Sequence, residues 1–331
     1  MPSQLVSHEA ATEIQFSRTV EKALVHRAAI SEVFVTDMRQ VGDARFQAGA
    51  QLPLSHAYYS DHLQVPRLFD PLLLLESSRQ AAVCGAHEYL GIPLTTSFLV
   101  NSLSISFDAP MPLRMGGQPG ELHIETSYPT VRRRGEEVRA VDVSQDLYLK
   151  EEPAGHVTMK VSAMSPKQYR ALRYLQRDGE PPTTADAPHQ AATVLPPSSV
   201  VRESAQNVVL TPPALKGQRI QATLAPRFHN RSLFDHTYDH IPAMVLLEGA
   251  RQLALLAAAD MGLPVQQAWI SQCSAEFLRF AELDAAIVLS TPRWSAPSPG
   301  DFCAPVRLRQ AGATVAEMTL TVGTLPKELA S

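Results

Sequence analysis

The sequence predicts an α+β protein made of two copies of one unit, in which two antiparallel sheets each wrap a long central helix. Three observations carry that expectation. An apolar helical run occurs twice in the 331 residues, the residues around it recur at a nearly constant offset, and alternating strand-like segments follow each run.

The first copy opens on the β-prone segments EVFVTD (32–37) and FQAGAQLP (46–53), followed by a polar loop with Asp61-His62. The apolar run PLLLLESSRQAAVCGAHEYL comes next. Gly91-Ile92-Pro93 stops it, which predicts one helix near 70–90. SFLVNSLSISFDAP, GELHIETSYP and EVRAVDVSQDLYL then alternate apolar and polar residues, as strands do, and RRRGEE (132–137) reads as an exposed hairpin turn. The second copy repeats this order with NVVLTP (207–212), IQATLAP (220–226) and Asp235-His236. Its apolar run, AMVLLEGARQLALLAAADM, is stopped by Gly262-Leu263-Pro264 and predicts a helix near 242–261. AWISQCSAEFLRF, AAIVLSTPRW, APVRLRQ and TVAEMTLTVGTL are its strands.

Glu76/Glu248, Arg79/Arg251 and Gln80/Gln252 share an offset of 172, and Asp61-His62 pairs with Asp235-His236 at 174. Such constancy marks a duplication. One helix followed by an antiparallel sheet is the hot-dog pattern. Alone, such a unit leaves a sheet edge and face uncovered, so two copies are expected to pair. The repeats are expected at 20–165 and 200–326. The linker at 166–199 is rich in Pro, Ala and Thr and reads as extended from Gly179 onward.

A net charge of −4 excludes the basic footprint of a nucleic-acid binder. Glu248 and Arg251 interrupt an apolar run already too short to span a bilayer. The N-terminus lacks a basic start followed by an apolar stretch, so a cytoplasmic protein without a membrane span is expected. Cys84, Cys273 and Cys303 are too few and too far apart for a disulfide framework or a metal site. No cofactor and no metal are expected.

The functional clue is charge inside the apolar helices. Residues three apart share a helix face, so Glu76 points with Arg79, and Glu248 with Arg251. Residues 72–75 and 253–259 leave no wide polar face, so both pairs are expected to line an internal cavity. Buried charge is costly unless paired, which suggests a role beyond stability; a structural ion pair is the plain alternative. Asp235, His236, Asp239 and His240 precede the second helix, where the first copy keeps only Asp61-His62. The second copy is therefore expected to carry the main chemistry. Helix capping by Asp235 or Asp239 is the plain reading of that loop.

The stretch DHTYDHIPAMVLLEGARQ (235–252), with the weaker first copy LLLLESSRQA (72–81), resembles the AfsA-type (A-factor biosynthesis) proteins. Those are tandem hot-dog proteins of actinomycetes that make γ-butyrolactone signalling molecules, a quorum-sensing control of secondary metabolism. The resemblance covers nearly the whole chain except the termini and the linker. It implies transfer of a β-ketoacyl group from an acyl-carrier-protein or CoA thioester to the hydroxyl of dihydroxyacetone phosphate. The phosphorylated ester can then close to a butenolide.

For that chemistry the catalytic candidates are Glu248, Arg251, Glu76, Arg79, His236 and His240, and the substrate-binding candidates are Asp235, Asp239, His62 and Gln252. A Glu in an apolar pocket is expected to have a raised pKa and act as base, and an Arg fork to grip phosphate. A more distant echo is the hydroxyacyl-carrier-protein dehydratases, whose His-to-Glu spacing is kept by His62 and Glu76. His236 and Glu248 stand two residues closer, and Ala243 replaces the dehydratase Gly. The alternatives are thus a hot-dog dehydratase or thioesterase, or a non-catalytic acyl-binding duplicate.

Overall fold

The computed structural model describes residues 13–177, 179–187, 193, 195–294 and 301–326. In the first half, β1 (Val35–Gly42) and β2 (Arg45–Leu52) precede α1 (Pro71–Leu90). Then come β3 (Ser97–Ser106), β4 (Gly120–Arg134), β5 (Glu137–Leu149) and β6 (Glu152–Met164). After α2 (Pro166–Arg177), the second half repeats the order with β7 (Ala214–Lys216), β8 (Arg219–Thr223) and α3 (Ala243–Asp260). It ends on β9 (Ala268–Phe277), β10 (Ile287–Pro292), β11 (Phe302–Gln310) and β12 (Ala313–Thr324).

The strand order is β1-β2-β4-β5-β6-β3-β9-β12-β11-β10-β8-β7, so each half has the same internal order and the two meet in mirrored sense. They join where β3 runs antiparallel to β9, from Ser102 opposite Glu276 to Ser106 opposite Gln272. The two antiparallel sheets, each wrapping one helix, are thus the halves of one shared twelve-stranded sheet. Pairing at the junction satisfies a row of backbone groups that each half alone would leave open.

Both helices lie against the inner face of the sheet and are buried on nearly every side, which is why neither shows a wide polar stripe. Gly91 (φ 67°) and Gly262 (φ 81°) supply the left-handed residue that ends each helix, as the Gly-x-Pro signals predict. The RRRGEE segment forms the β4–β5 hairpin, with Arg134 opposite Glu137 and Gly135 at positive φ. β6 was not singled out in the sequence, because Pro153 and Gly155 blur the start of its alternation.

The segment between the repeats opens as a helix rather than a tether. Arg173 of α2 is buried, donating to Asp239 (3.0 Å) and to both oxygens of Glu282 (2.8 Å each). Part of the expected linker (178, 188–192 and 194) lies outside the described residues. Among the described residues, no helix is long and apolar enough to cross a membrane.

Candidate active site

Each core helix holds one fully buried carboxylate clasped by two arginines. On α1, Glu76 receives Arg79 one turn later through Nε (2.8 Å) and Nη2 (2.8 Å). Arg27, in the turn before β1, adds Nε (3.1 Å) and Nη2 (2.5 Å), and Gln80 adds Nε2 (2.7 Å). On α3, Glu248 receives Arg251, Arg202 through Nε (3.1 Å) and Nη2 (2.9 Å), and Gln252 (2.6 Å). Gln80 and Gln252 also tie each helix to the segment that leads into the first strand of its half. Their side-chain oxygens accept the amides of Phe34 (2.9 Å) and Val209 (3.0 Å).

The Asp-His loops cross over between the halves. Asp235 accepts the amides of Ala28 (2.6 Å) and Ala29 (3.1 Å), beside Arg27. Asp61 likewise accepts Glu203 (3.1 Å) and Ser204 (2.9 Å), beside Arg202. His236 therefore stands over the Glu76 site, stacked on Tyr238 (4.1 Å), whose hydroxyl accepts from Arg27 (3.5 Å). His62 faces the Glu248 site. This corrects the expectation that Asp235 and His236 serve the helix they precede, since Asp235 is bound to the turn of the first half that carries Arg27.

Asp239 and His240 turn away from both carboxylates. They pair with each other (2.6 Å) and are held by α2: Tyr169 donates to Asp239 (2.7 Å), and Arg173 also bonds it.

The two sites differ in what surrounds the shared core. At the α3 site, Asp70 accepts Arg251 Nη1 through both oxygens (2.6 and 2.8 Å) while capping α1 through the Leu72 amide. Tyr58 donates to Glu248 (2.9 Å), and Arg202 Nη1 donates to the carbonyls of Tyr58 and Asp61. Two cations thus face two carboxylates, and every guanidinium nitrogen has a partner. At the α1 site two guanidiniums face the single carboxylate Glu76, and Arg79 Nη1 has no hydrogen-bond partner among the described residues.

Cavities flank both sites. One of about 70 Å³ begins at Arg79 and runs along α1 past Ala82, Val83 and Ala86, with Phe98, Val143 and Met159 opposite. Its walls beyond Arg79 are apolar. Another, of about 50 Å³, lies between His62, Asp70, Arg251 and Trp269. A wider groove of about 630 Å³ crosses the outer face of the sheet near Ser104, Thr158, Arg307 and Glu317, away from both buried carboxylates.

Glu76 is not a base in waiting. Burial, the largest influence, pushes the Glu76 carboxyl up, but Arg27 and Arg79 together overcome it and hold the group at about 2. At Glu76 the raised pKa expected from an apolar setting fails because the sequence did not disclose the second arginine. Three imidazoles are lowered as well, but there burial itself is the cause, because it favours the neutral ring. Burial, then His87 and nearby cations, brings His26 down to about 4. Burial also brings His62 down to about 4, and both its ring nitrogens are buried without a partner among the described residues. His236 is lowered by burial and by Arg27 and Arg79, against the opposing pull of Asp235, whose Oδ2 lies 3.4 Å from its Nδ1.

Arg27 and Arg202 were missed in the sequence although the signal was present. HRAAISEV (26–33) and VRESAQNV (201–208) keep the offset of 175 that aligns the following strands. Tyr58 and Asp70 had no such signal; Pro242 stands where the second copy would repeat Asp70.

The sequence matches the family described as the A-factor biosynthesis hotdog domain over residues 8–165 and 183–326. A protein of Streptomyces virginiae named 2-oxo-3-(phosphooxy)propyl 3-oxoalkanoate synthase is 31% identical, the alignment covering 90% of this chain and 95% of that one. A Streptomyces coelicolor protein of the same name is 28% identical, with 97% and 98% covered. In fold, the chain is similar to a Lactobacillus plantarum structure described as an oleoyl thioesterase (TM-score 0.52, 9% identity, 86% and 98% covered). It is also similar to the 12:0-ACP thioesterase of Umbellularia californica (TM-score 0.50, 11% identity, 85% and 94% covered).

Proposed function

The chain belongs to the A-factor biosynthesis hotdog-domain family, and from that premise we propose that it is an acyltransferase of γ-butyrolactone biosynthesis. It moves a β-ketoacyl group from a thioester to the hydroxyl of dihydroxyacetone phosphate, giving the ester for which its relatives are named. A cytoplasmic reaction is part of this reading. One observation carries the choice of site: surplus guanidinium charge sits at the mouth of an apolar slot, beside an Asp-His pair from the other half.

The residues divide the work as follows. The slot along α1 takes the acyl chain, and the outward N–H groups of Arg79 and Arg27 take the phosphate of the acceptor. Glu76 stays ionised and positions both guanidiniums. His236 is neutral near pH 7 because its pKa is lowered, and a proton on Nδ1, directed to Asp235, leaves Nε2 to act as base. The acceptor hydroxyl oxygen attacks the thioester carbonyl carbon while His236 takes its proton. The carbon–sulfur bond then breaks, and the proton returns to the leaving thiolate.

The test is incubation with a β-ketoacyl thioester and dihydroxyacetone phosphate, followed by mass spectrometry. The phosphorylated ester is expected. Free β-keto acid alone would identify a thioesterase, and an α,β-unsaturated product from a 3-hydroxyacyl thioester would identify a dehydratase.

A further inference from the structure

α2 lies outside both helix-and-sheet units yet is firmly fixed. Its inner face binds Asp239 and Glu282 through Arg173, Asp284 through Arg177 (2.8 Å), and the Phe280 carbonyl through Gln176 (2.9 Å). Its outer face is bare. Lys167, Arg170 and Tyr174 recur at three- to four-residue spacing with Leu175 next to the last of them, and all four are exposed, Tyr174 by 56% and Leu175 by 82%. Lys167 and Arg170 enter no ion pair among the described residues. An anchored helix that leaves a large apolar side chain this open, flanked by unpaired cations, has the character of a contact surface.

Resting on the acyl-transfer reading, we propose that this face of α2 docks the acidic surface of a protein carrier that presents the acyl group as a thioester. The cations select an acidic partner, and Tyr174 with Leu175 supply the apolar centre of the contact. Two cations on a three-turn helix are too few to hold a membrane surface.

The position is apt as well. The inner face of α2 holds Asp239 and His240, on the loop that carries His236. The chain just after α2 clasps the same loop: the Thr184 amide donates to the Tyr238 carbonyl (2.8 Å), and the Tyr238 amide to Thr184 Oγ1 (3.1 Å). A carrier seated on α2 therefore lies beside the loop that supplies the base. A thioester of free CoA needs no such face.

The experiment compares one β-ketoacyl group on a stand-alone bacterial acyl carrier protein and on CoA, using the full chain. Lys167→Glu/Arg170→Glu is expected to raise KM for the carrier-borne donor at least about tenfold, with kcat and the CoA reaction within about twofold. Leu175→Asp should act in the same direction. Equal effects on both donors, or none on either, would overturn the proposal. So would dissociation of a dimer with carrier kinetics unchanged, which would make this face a contact between copies. Calorimetric binding of the charged carrier to wild type and the double variant reads docking even if no ester forms. Loss of the ester with binding intact would therefore count against the transfer reading alone.

Discussion

The α1 and α3 sites share a glutamate, two arginines and a glutamine in the same geometry, yet their surroundings give them opposite characters. Around Glu248, Asp70 and Tyr58 complete a closed lattice in which charge is balanced and donors are saturated. Around Glu76 no second carboxylate binds the arginines, so a cation is left in excess at the mouth of an apolar slot. Arg202 is 2% exposed, whereas Arg79 is 22% exposed. In the acyl-transfer reading proposed above, a duplicated ion cluster remains as a lock in one copy and serves as a binding site in the other. The deciding residues lie outside the duplicated motif.

The largest divergence should appear in turnover. His236→Gln is expected to lose about 10²–10⁴-fold in kcat, the usual weight of a general base. His62→Gln, at the closed site, should stay within about tenfold. Rates of ester formation for the two variants decide this, and the reverse ranking would move the chemistry to α3.

Stability should rank the sites the other way. Glu248→Gln leaves Arg202 and Arg251 buried against one carboxylate too few, and breaking a buried pair costs about 3–5 kcal/mol. Glu76→Gln frees arginines that can reach water and should cost visibly less in urea unfolding. Equal losses would mean that both clusters are structural.

A third effect is the dependence of stability on pH. His26 and His62 sit at about 4 in the fold against an ordinary value of 6.5. Their neutral forms are favoured by folding, so their contribution is whole above about pH 6.5 and is lost as the pH falls towards 4. Glu76, held at about 2, adds a loss that begins only below its ordinary value of 4.5. Thermal midpoints should therefore decline from pH 6.5 to 4, and His62→Gln should flatten part of that slope. A level profile would contradict the burial of these rings.

The duplication and both helices were legible because they rest on local signals: the 3.6-residue apolar pattern, the Gly-x-Pro stops and a fixed offset. So was the pairing of Glu76 with Arg79 and of Glu248 with Arg251, which helix geometry alone dictates. The crossing of the Asp-His loops was not legible, because sequence order says nothing about which half a loop reaches. Arg27 and Arg202 could have been found by carrying the alignment a few residues upstream. Asp70 and Tyr58, which separate the two sites, have no repeat partner to betray them. Without them the fuller histidine motif pointed to α3.

The central claim is that one site per chain, on α1, binds the phosphorylated acceptor. Calorimetric titration of dihydroxyacetone phosphate into wild type and Arg79→Gln tests it directly. One site per chain is predicted, with binding lost in Arg79→Gln while the urea midpoint stays near that of wild type. Two sites per chain, or undiminished binding in Arg79→Gln, would contradict the account.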